Sequence, residues 1–286
     1  MKKTFALWSM LASMLASSVA LAGCGDNLTV PTHPGYDGGT EGDAGQLSCV
    51  PNLDGKVEAA EFKAVLNTPV SYLVGMSRTV DLAGKKDSQG NLSWVFSQDF
   101  SDDGSITISA ADLNGRWYQS SFPDGQWVSP SDLAGTIDGV YASDDQAVYL
   151  LGLASTAENP PAGKTLLVYD TKVAVYRFPL EPGASWTSVG HVTKATVGNL
   201  PYSGTHTYQI ADDGMGQLAL HSLTFAQAHR IRTTLTITAP AGPSTTVKRQ
   251  TGFVFECFGE VTRATAALNE PNDNFTTAAE LRRLGN

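Results

Sequence analysis

Three pairs of neighbouring acids carry the densest carboxylate chemistry in the chain: Asp102-Asp103 before Gly104, Asp144-Asp145, and Asp212-Asp213 before Gly214. Two carboxyl groups on either side of a glycosidic bond hydrolyse it, at about 5 Å separation with a covalent intermediate or about 6.5–9.5 Å without one. Such pairs need no short motif, and the same residues beside glycine also make solvated turns. Motif-borne chemistries are missing: the chain has no G-x-S-x-G elbow, no H-E-x-x-H, no phosphate loop and no dinucleotide loop. Trp117 and Trp127 lie near turns, where an indole can stack on a sugar ring, whereas Trp94 and Trp186 read as core, since aromatic residues bury large areas in β cores. His229, Arg230 and Arg232 form a small basic cluster that suits an anionic partner or, more plainly, charge protecting an edge strand.

A second chemistry-bearing stretch runs from Asn52 to Phe62. It resembles the later part of a calcium-binding EF-hand loop. With Gly55 at the invariant sixth place, the resemblance puts Asn52, Asp54, Lys56 (through its carbonyl), Glu58 and Glu61 at the ligand positions. Val50 stands where the first side-chain ligand belongs and carries no oxygen, so folding is expected to need no calcium and no other cofactor is implied. A plain turn with glutamates capping a short helix accounts for the same residues. Near the other end, Glu270-Pro271-Asn272-Asp273 is similar to the opening of prepeptidase C-terminal modules, but too little chain follows to form one.

The start of the chain fixes the expected compartment. Met1-Lys2-Lys3 precedes an uncharged stretch to Gly23, and Leu21-Ala22-Gly23-Cys24 closes it. This order resembles a bacterial lipoprotein signal, which implies cleavage before Cys24, acyl chains on that cysteine and attachment to a lipid bilayer. Ala20-Leu21-Ala22 also fits an ordinary secretory cut. Gly25 is not the aspartate of an inner-membrane retention signal, so sorting to the outer membrane is expected, with the facing side open. Residues 1–23 are then the signal and 24–48 a lipidated tether rich in Gly and Asp. Removing Lys2 and Lys3 with the signal leaves 17 basic against 28 acidic residues, a formal charge of −11. That balance excludes nucleic acid as a partner, since the phosphate backbone rewards clustered positive charge. In an exported chain Cys49 and Cys257 are expected to pair. The histidines His191, His206, His221 and His229 show no zinc spacing to them.

Residues 49–286 read as one β-rich domain. Strand runs occur at Leu92–Phe96, Ile106–Ile108, Ala147–Leu151, Thr165–Tyr169, Val173–Phe178, Ile231–Ile237 and Thr251–Phe258, with Val261–Ala264 continuing the last; Ile106–Ile108 and Ile231–Ile237 alternate with period two, and Ala147–Leu151 is a short buried run. Asp170-Thr171-Lys172 reads as a hairpin turn, and Trp117 to Phe122 as a short extended piece. Helix signals are limited to Val57–Leu66, a turn at Phe225–Arg230 and a capping-box pattern at Thr277–Glu280. The expected fold is mostly β: an antiparallel sandwich, or a curved half-barrel-like sheet similar to periplasmic lipoprotein carriers, with one or two short helices. The sequence resembles surface lipoproteins of Gram-negative bacteria with long Gly/Asp tethers. That resemblance implies a ligand-binding or structural role, with glycan, lipid or an envelope protein as partner. A glycan hydrolase and a hydrophobic-ligand carrier are the alternatives.

Overall fold

The computed structural model describes residues 49–62, 64–240 and 245–285. Cys24, the signal and the tether lie outside the described residues. The described chain is mostly β, with fifteen strands joined in one sheet and helical structure limited to two 3-10 turns, Ala59–Glu61 and Gln119–Ser121.

Chain order and sheet order largely coincide. β5 (Ala111–Asp112), β6 (Trp127–Pro130), β7 (Ile137–Ser143), β8 (Ala147–Ser155), β9 (Leu166–Arg177) and β10 (Ser185–Val197) follow one another as antiparallel neighbours. The meander continues through β11 (Leu200–Leu220), β12 (Thr224–Thr238), β13 (Thr245–Phe255), β14 (Gly259–Thr265) and β15 (Thr277–Leu284). β1 (Val70–Thr79) then pairs with β15, and β4 (Gly104–Ile108) with β1, so β4 and β5 are the two ends of the path. Local hairpins of this kind need no crossover helix, which is why the chain has no βαβ signal.

β11 is long enough to hold two partners on one edge. β10 covers it as far as Ala211; past the irregular register between Asp212 and Met215, β3 (Leu92–Phe96) takes that edge in parallel, from Gly216↔Leu92 to Leu220↔Phe96. Gly216 permits this approach, because a Cβ there would lie 2.2 Å from the Leu92 carbonyl oxygen. β2 (Lys85–Lys86) caps β3. The partner switch divides the apolar interior. One cluster gathers Trp186, Tyr208, Ile210, Ile231 and Leu235 with Val57 and Phe62. The other places Trp94, Phe225, Phe253, Phe255 and Leu281 beneath β3.

Several local expectations give way to this sheet. Asp170–Lys172 makes no hairpin; β9 continues through it as a bulge, its register against β8 stepping from Leu150↔Val173 to Gly152↔Val168. Val261–Ala264 does not continue β13 but turns back against it as β14, with Cys257 at φ +64° in the turn. Thr277–Glu280 is strand laddered to β1, with β14 joining at Glu280, and Phe225–Arg230 is strand laddered to β11, with β13 joining at His229, so tertiary pairing overrides the local helix signal. Trp117–Phe122 is a 3-10 turn instead of an extended piece. Val57–Leu66 shortens to the turn Ala59–Glu61, where the Glu58 N–H donates to Glu61 Oε2 at 2.9 Å. Val57 itself bridges to Leu180, its N–H donating to the Leu180 carbonyl at 3.1 Å and its carbonyl accepting at 2.9 Å.

The N-terminal strap is tied down covalently and electrostatically. Cys49 and Cys257 form the disulfide the sequence implied, with Cα atoms 5.6 Å apart. Beside it the buried Glu256 accepts the Asn52 and Leu53 N–H groups on Oε2, at 2.7 and 2.9 Å. Phe62 packs on Tyr176 and Phe178, with ring centroids 4.6 and 5.4 Å away.

Candidate functional site

An open groove of about 890 Å³ lies on the outward face of β10–β13. Its floor follows from register. Thr187, Gln209, Thr234 and Arg249 stand in one row across the four strands, with Ser185, Ala211, Arg232 and Thr251 in the next. Residues one position along point inward, as the pleat requires: Trp186, Ile210 and Leu235 are core.

The loop before β15 walls the groove. Arg249 donates from Nε to the Glu270 carbonyl at 2.7 Å, and from Nη1 to Thr234 Oγ1 at 2.8 Å and Asp273 Oδ1 at 2.5 Å. Arg232 donates from Nη2 to Asn274 Oδ1 at 2.5 Å. Its Nε lies 2.5 Å from Asp213 Oδ2, at an angle that makes this an ion contact without a hydrogen bond. Two guanidiniums and two carboxylates therefore line the groove in balance, with rotamers fixed by their own contacts. Such a surface offers planar, preoriented donors and acceptors without net charge. The Glu270–Asn274 segment, whose opening is similar to that of prepeptidase C-terminal modules, thus forms part of this groove. Nothing in its local sequence shows this, since the strands it leans on lie elsewhere in the chain.

The acidic pairs of the sequence are each spoken for. Asp103 is buried between Arg78, whose Nη2 donates to Oδ1 at 2.7 Å, and Arg283, which donates to Oδ2; Asp102 takes the same Arg78 Nη2 at 2.7 Å. Asp144 accepts the Gln146 and Ala147 N–H groups at a hairpin turn, and those bonds hold its carboxyl below the usual range against the opposing effect of burial. Asp212 is fully buried on His229, Oδ2 to Nδ1 2.7 Å, and Asp213 holds Arg230 at 2.6 Å. The basic cluster is thereby dispersed, and its edge-strand reading is corrected: β12 lies between β11 and β13, His229 is interior, Arg230 also donates to the Leu82 carbonyl at 2.7 Å, and Arg232 faces the groove. One acid that sequence did not single out, Asp138, has its carboxyl raised by burial. It accepts Tyr118 Oη at 2.5 Å and lies 3.7 Å from Arg116 Nη1.

The two tryptophans near turns separate. Trp127 is 4% exposed and stacked on Tyr141 with centroids 5.9 Å apart, so its faces belong to the core. Trp117 is half-buried; its Nε1 donates to the Ser155 carbonyl at 2.8 Å and the Lys164 ammonium sits 4.0 Å above its ring. Neither lines the groove. In the calcium-like loop, the oxygens serve the loop itself. Asn52 Oδ1 accepts the Asp54 N–H, Asp54 Oδ1 accepts the Lys56 N–H, Glu61 accepts both Asn52 Nδ2 and the Glu58 N–H, and Lys56 pairs with Glu181 at 2.8 Å. Burial raises the Glu61 carboxyl, which works against a charged ligand there. Among the described residues no three His, Cys, Asp or Glu side chains are grouped to hold a metal ion.

A further cluster went unnoticed at the sequence level. His206, 3% exposed, meets Tyr169 Oη through Nδ1 at 2.7 Å and Tyr202 Oη through Nε2 at 2.8 Å, and Tyr169 Oη lies 3.0 Å from Tyr208 Oη. One ring nitrogen donates and the other accepts, so the neutral ring is fully satisfied. Burial lowers its pKa to about 4 and pushes Tyr202 and Tyr208 up to about 12. Gly190, opposite His206, clears the path: a Cβ there would lie 2.4 Å from the Tyr169 ring. The readable signal was the alternation Tyr202, Gly204, His206, Tyr208, Ile210 along one face of β11. No family model, no curated protein and no solved structure matches this chain.

Proposed function

We propose that this chain is a non-catalytic envelope lipoprotein whose β-domain binds a neutral polyhydroxyl ligand, a glycan, in the groove over β10–β13. The observation that carries this reading is the charge balance of that groove. Arg232, Arg249, Asp213 and Asp273 present fixed paired donors and acceptors, and Thr187, Gln209 and Thr234 add hydroxyl and amide groups between them. Sugars offer neighbouring hydroxyls that planar guanidinium, carboxylate and amide groups engage in pairs. Enclosed space favours this ligand over a lipid: the interior cavity beneath Tyr141 and Tyr176 measures about 40 Å³ and has Glu260 and Arg263 on its wall, too small and too polar for an acyl chain. The engagement of Asp103, Asp144, Asp212 and Asp213 by other groups supports a binding role over a hydrolytic one.

A half-barrel form of the sheet belongs to the same reading. Tyr176 Oη on β9 donates to Glu260 Oε2 on β14 at 3.0 Å, although β10 to β13 lie between them in the sheet. At about 4.8 Å per strand those two would stand about 24 Å apart on a flat sheet, beyond the reach of their side chains. In that form the groove over β10–β13 lies on the convex side of the sheet.

Screening the purified protein against an array of bacterial and host polysaccharides, followed by calorimetry, tests the binding site. Arg249→Ala is expected to weaken the selected glycan by about tenfold or more, the scale of a lost charged hydrogen bond. Equal affinity in that variant, or an array without binders, overturns the assignment. The anchor is checked separately by mass spectrometry of the mature amino terminus, where a diacylglyceryl-modified Cys24 is expected. An unmodified terminus, or cleavage elsewhere, removes the lipoprotein reading and leaves the groove untouched.

A further inference from the structure

Asn114 and Gly115 form the one Asn-Gly step of the chain; every other asparagine that has a following residue is followed by Leu, Thr, Pro, Glu, Asp or Phe. The step lies in the exposed turn between β5, which ends at Asp112, and the 3-10 turn Gln119–Ser121. The Asn114 N–H donates to Asp112 Oδ1 at 2.8 Å, a local turn bond that fixes the approach. Gly115 has φ +78°, in the left-handed region that favours glycine, and nothing stands within 4 Å of the place a Cβ would take. With no side chain of its own, Gly115 leaves its nitrogen uncrowded beside the Asn114 amide carbon, and both residues are open to water.

Gln119 grips both of the groups that can react. Its Oε1 accepts the Gly115 N–H at 3.0 Å, and its Nε2 donates to Asn114 Oδ1 at 3.0 Å. One side-chain amide thus ties down the nitrogen that attacks and the carbonyl that is attacked. An N–H held by an acceptor gives up its proton less readily, and a tethered side chain cannot swing its carbon toward that nitrogen. Reaction therefore requires these bonds to open first.

We infer that Asn114 is a site of spontaneous deamidation whose rate Gln119 governs. The Gly115 nitrogen loses its proton to hydroxide and bonds to Asn114 Cγ; the side-chain nitrogen takes a proton from water and leaves as ammonia, closing a succinimide ring. Water then adds to one of the two ring carbonyls. Breaking the new N–Cγ bond gives aspartate, and breaking the original peptide bond gives isoaspartate, with the chain running through the former side chain. The balance is water in and ammonia out, with no oxidant or reductant. Either product adds a negative charge beside Asp112. Isoaspartate also lengthens the backbone by a methylene just ahead of Trp117 and Tyr118, whose bonds to the Ser155 carbonyl and to Asp138 pin this turn to β8 and β7. The site is independent of the outer groove, since β6 to β9 separate β5 from β10 in the sheet.

The test is prolonged incubation of the folded protein in mildly alkaline buffer, followed by peptide mass mapping for exchange of amide for carboxyl at each asparagine. Labelling by a methyltransferase specific for isoaspartyl carboxylates separates the two products. Asn114 is expected to react ahead of every other asparagine of residues 49–286 and to yield both. Gln119 is exposed and outside the sheet, so Gln119→Ala keeps the fold. That variant is expected to react about tenfold faster than wild type, the scale of giving up one or two ordinary hydrogen bonds before reaction. Urea-denatured protein sets the rate of the ungripped step, which the variant should approach. Equal rates in folded wild type and Gln119→Ala overturn the part assigned to Gln119. An Asn114 that stays intact in both folded proteins while the denatured chain reacts overturns the site.

Discussion

Cys49→Ser is expected to lower the unfolding free energy by about 5 kcal/mol. The Cys49–Cys257 bridge closes a loop of 208 residues, and the entropy it removes from the unfolded chain grows with the logarithm of that length. The native side of the balance changes little, because the strap keeps other fastenings. Glu256 still accepts the Asn52 and Leu53 N–H groups, Val57 still pairs with Leu180, and the Cys257 N–H still donates to the Glu61 carbonyl at 3.0 Å. Urea denaturation of the wild type and the variant, with and without reductant, provides the measurement. Wild type under reductant should fall to the level of the variant. A loss below about 1 kcal/mol would show that the unfolded chain is already compact around this pairing, and the entropic argument would fail.

A second large effect is expected from acid. His206 has a folded pKa of about 4, against about 6.5 for an unfolded histidine. As pH falls below 6.5 the unfolded chain takes up this proton while the folded chain refuses it. The contribution is therefore fully present above 6.5, declines between 6.5 and 4, and flattens below 4. The total is about 3 kcal/mol, at 1.36 kcal/mol per pKa unit. Carboxylates titrate over part of the same range, so the informative quantity is the difference between wild type and His206→Gln. The substituted amide has no proton to gain and retains a donor and an acceptor between Tyr169 and Tyr202. The variant's stability is expected to fall by about 3 kcal/mol less than wild type between pH 7 and pH 4. Parallel curves for the two proteins would place the histidine in a wetter setting than its burial indicates.

What the chain revealed beforehand and what it hid have a common physical origin. Alternation is a local property, so Leu92–Phe96, Ile106–Ile108 and Ile231–Ile237 were legible as strands, and the Cys49–Cys257 pair followed from an oxidising compartment. Strand length was not legible. Asp170-Thr171-Lys172 has turn composition, yet β9 continues through it as a bulge, held by the ladder to β8 on both sides of the irregularity, which composition does not record. The same blindness turned Thr277–Glu280 into a helix start, where the ladder to β1, joined by β14 at Glu280, imposes an extended form. The groove failed to show for a third reason. Arg232, Arg249 and Asp273 come together through the register of β12 and β13 and a returning loop, and no window along the sequence contains them all. Asp138 and His206 were passed over because their significance lies in burial, which a lone polar residue in a strand does not announce.

The place where the strap is fastened also decides how the domain meets mechanical load. A pull on the chain ahead of Cys49 does not unwind residues 50–61 first. It crosses the sulfur bridge to Cys257, in the turn between β13 and β14. Those strands are interior to the sheet: β12 flanks β13, and β15 flanks β14. Force arriving there meets strands that are bonded on both sides, whereas force delivered to β4 or β5 would act on an end strand bonded on one side.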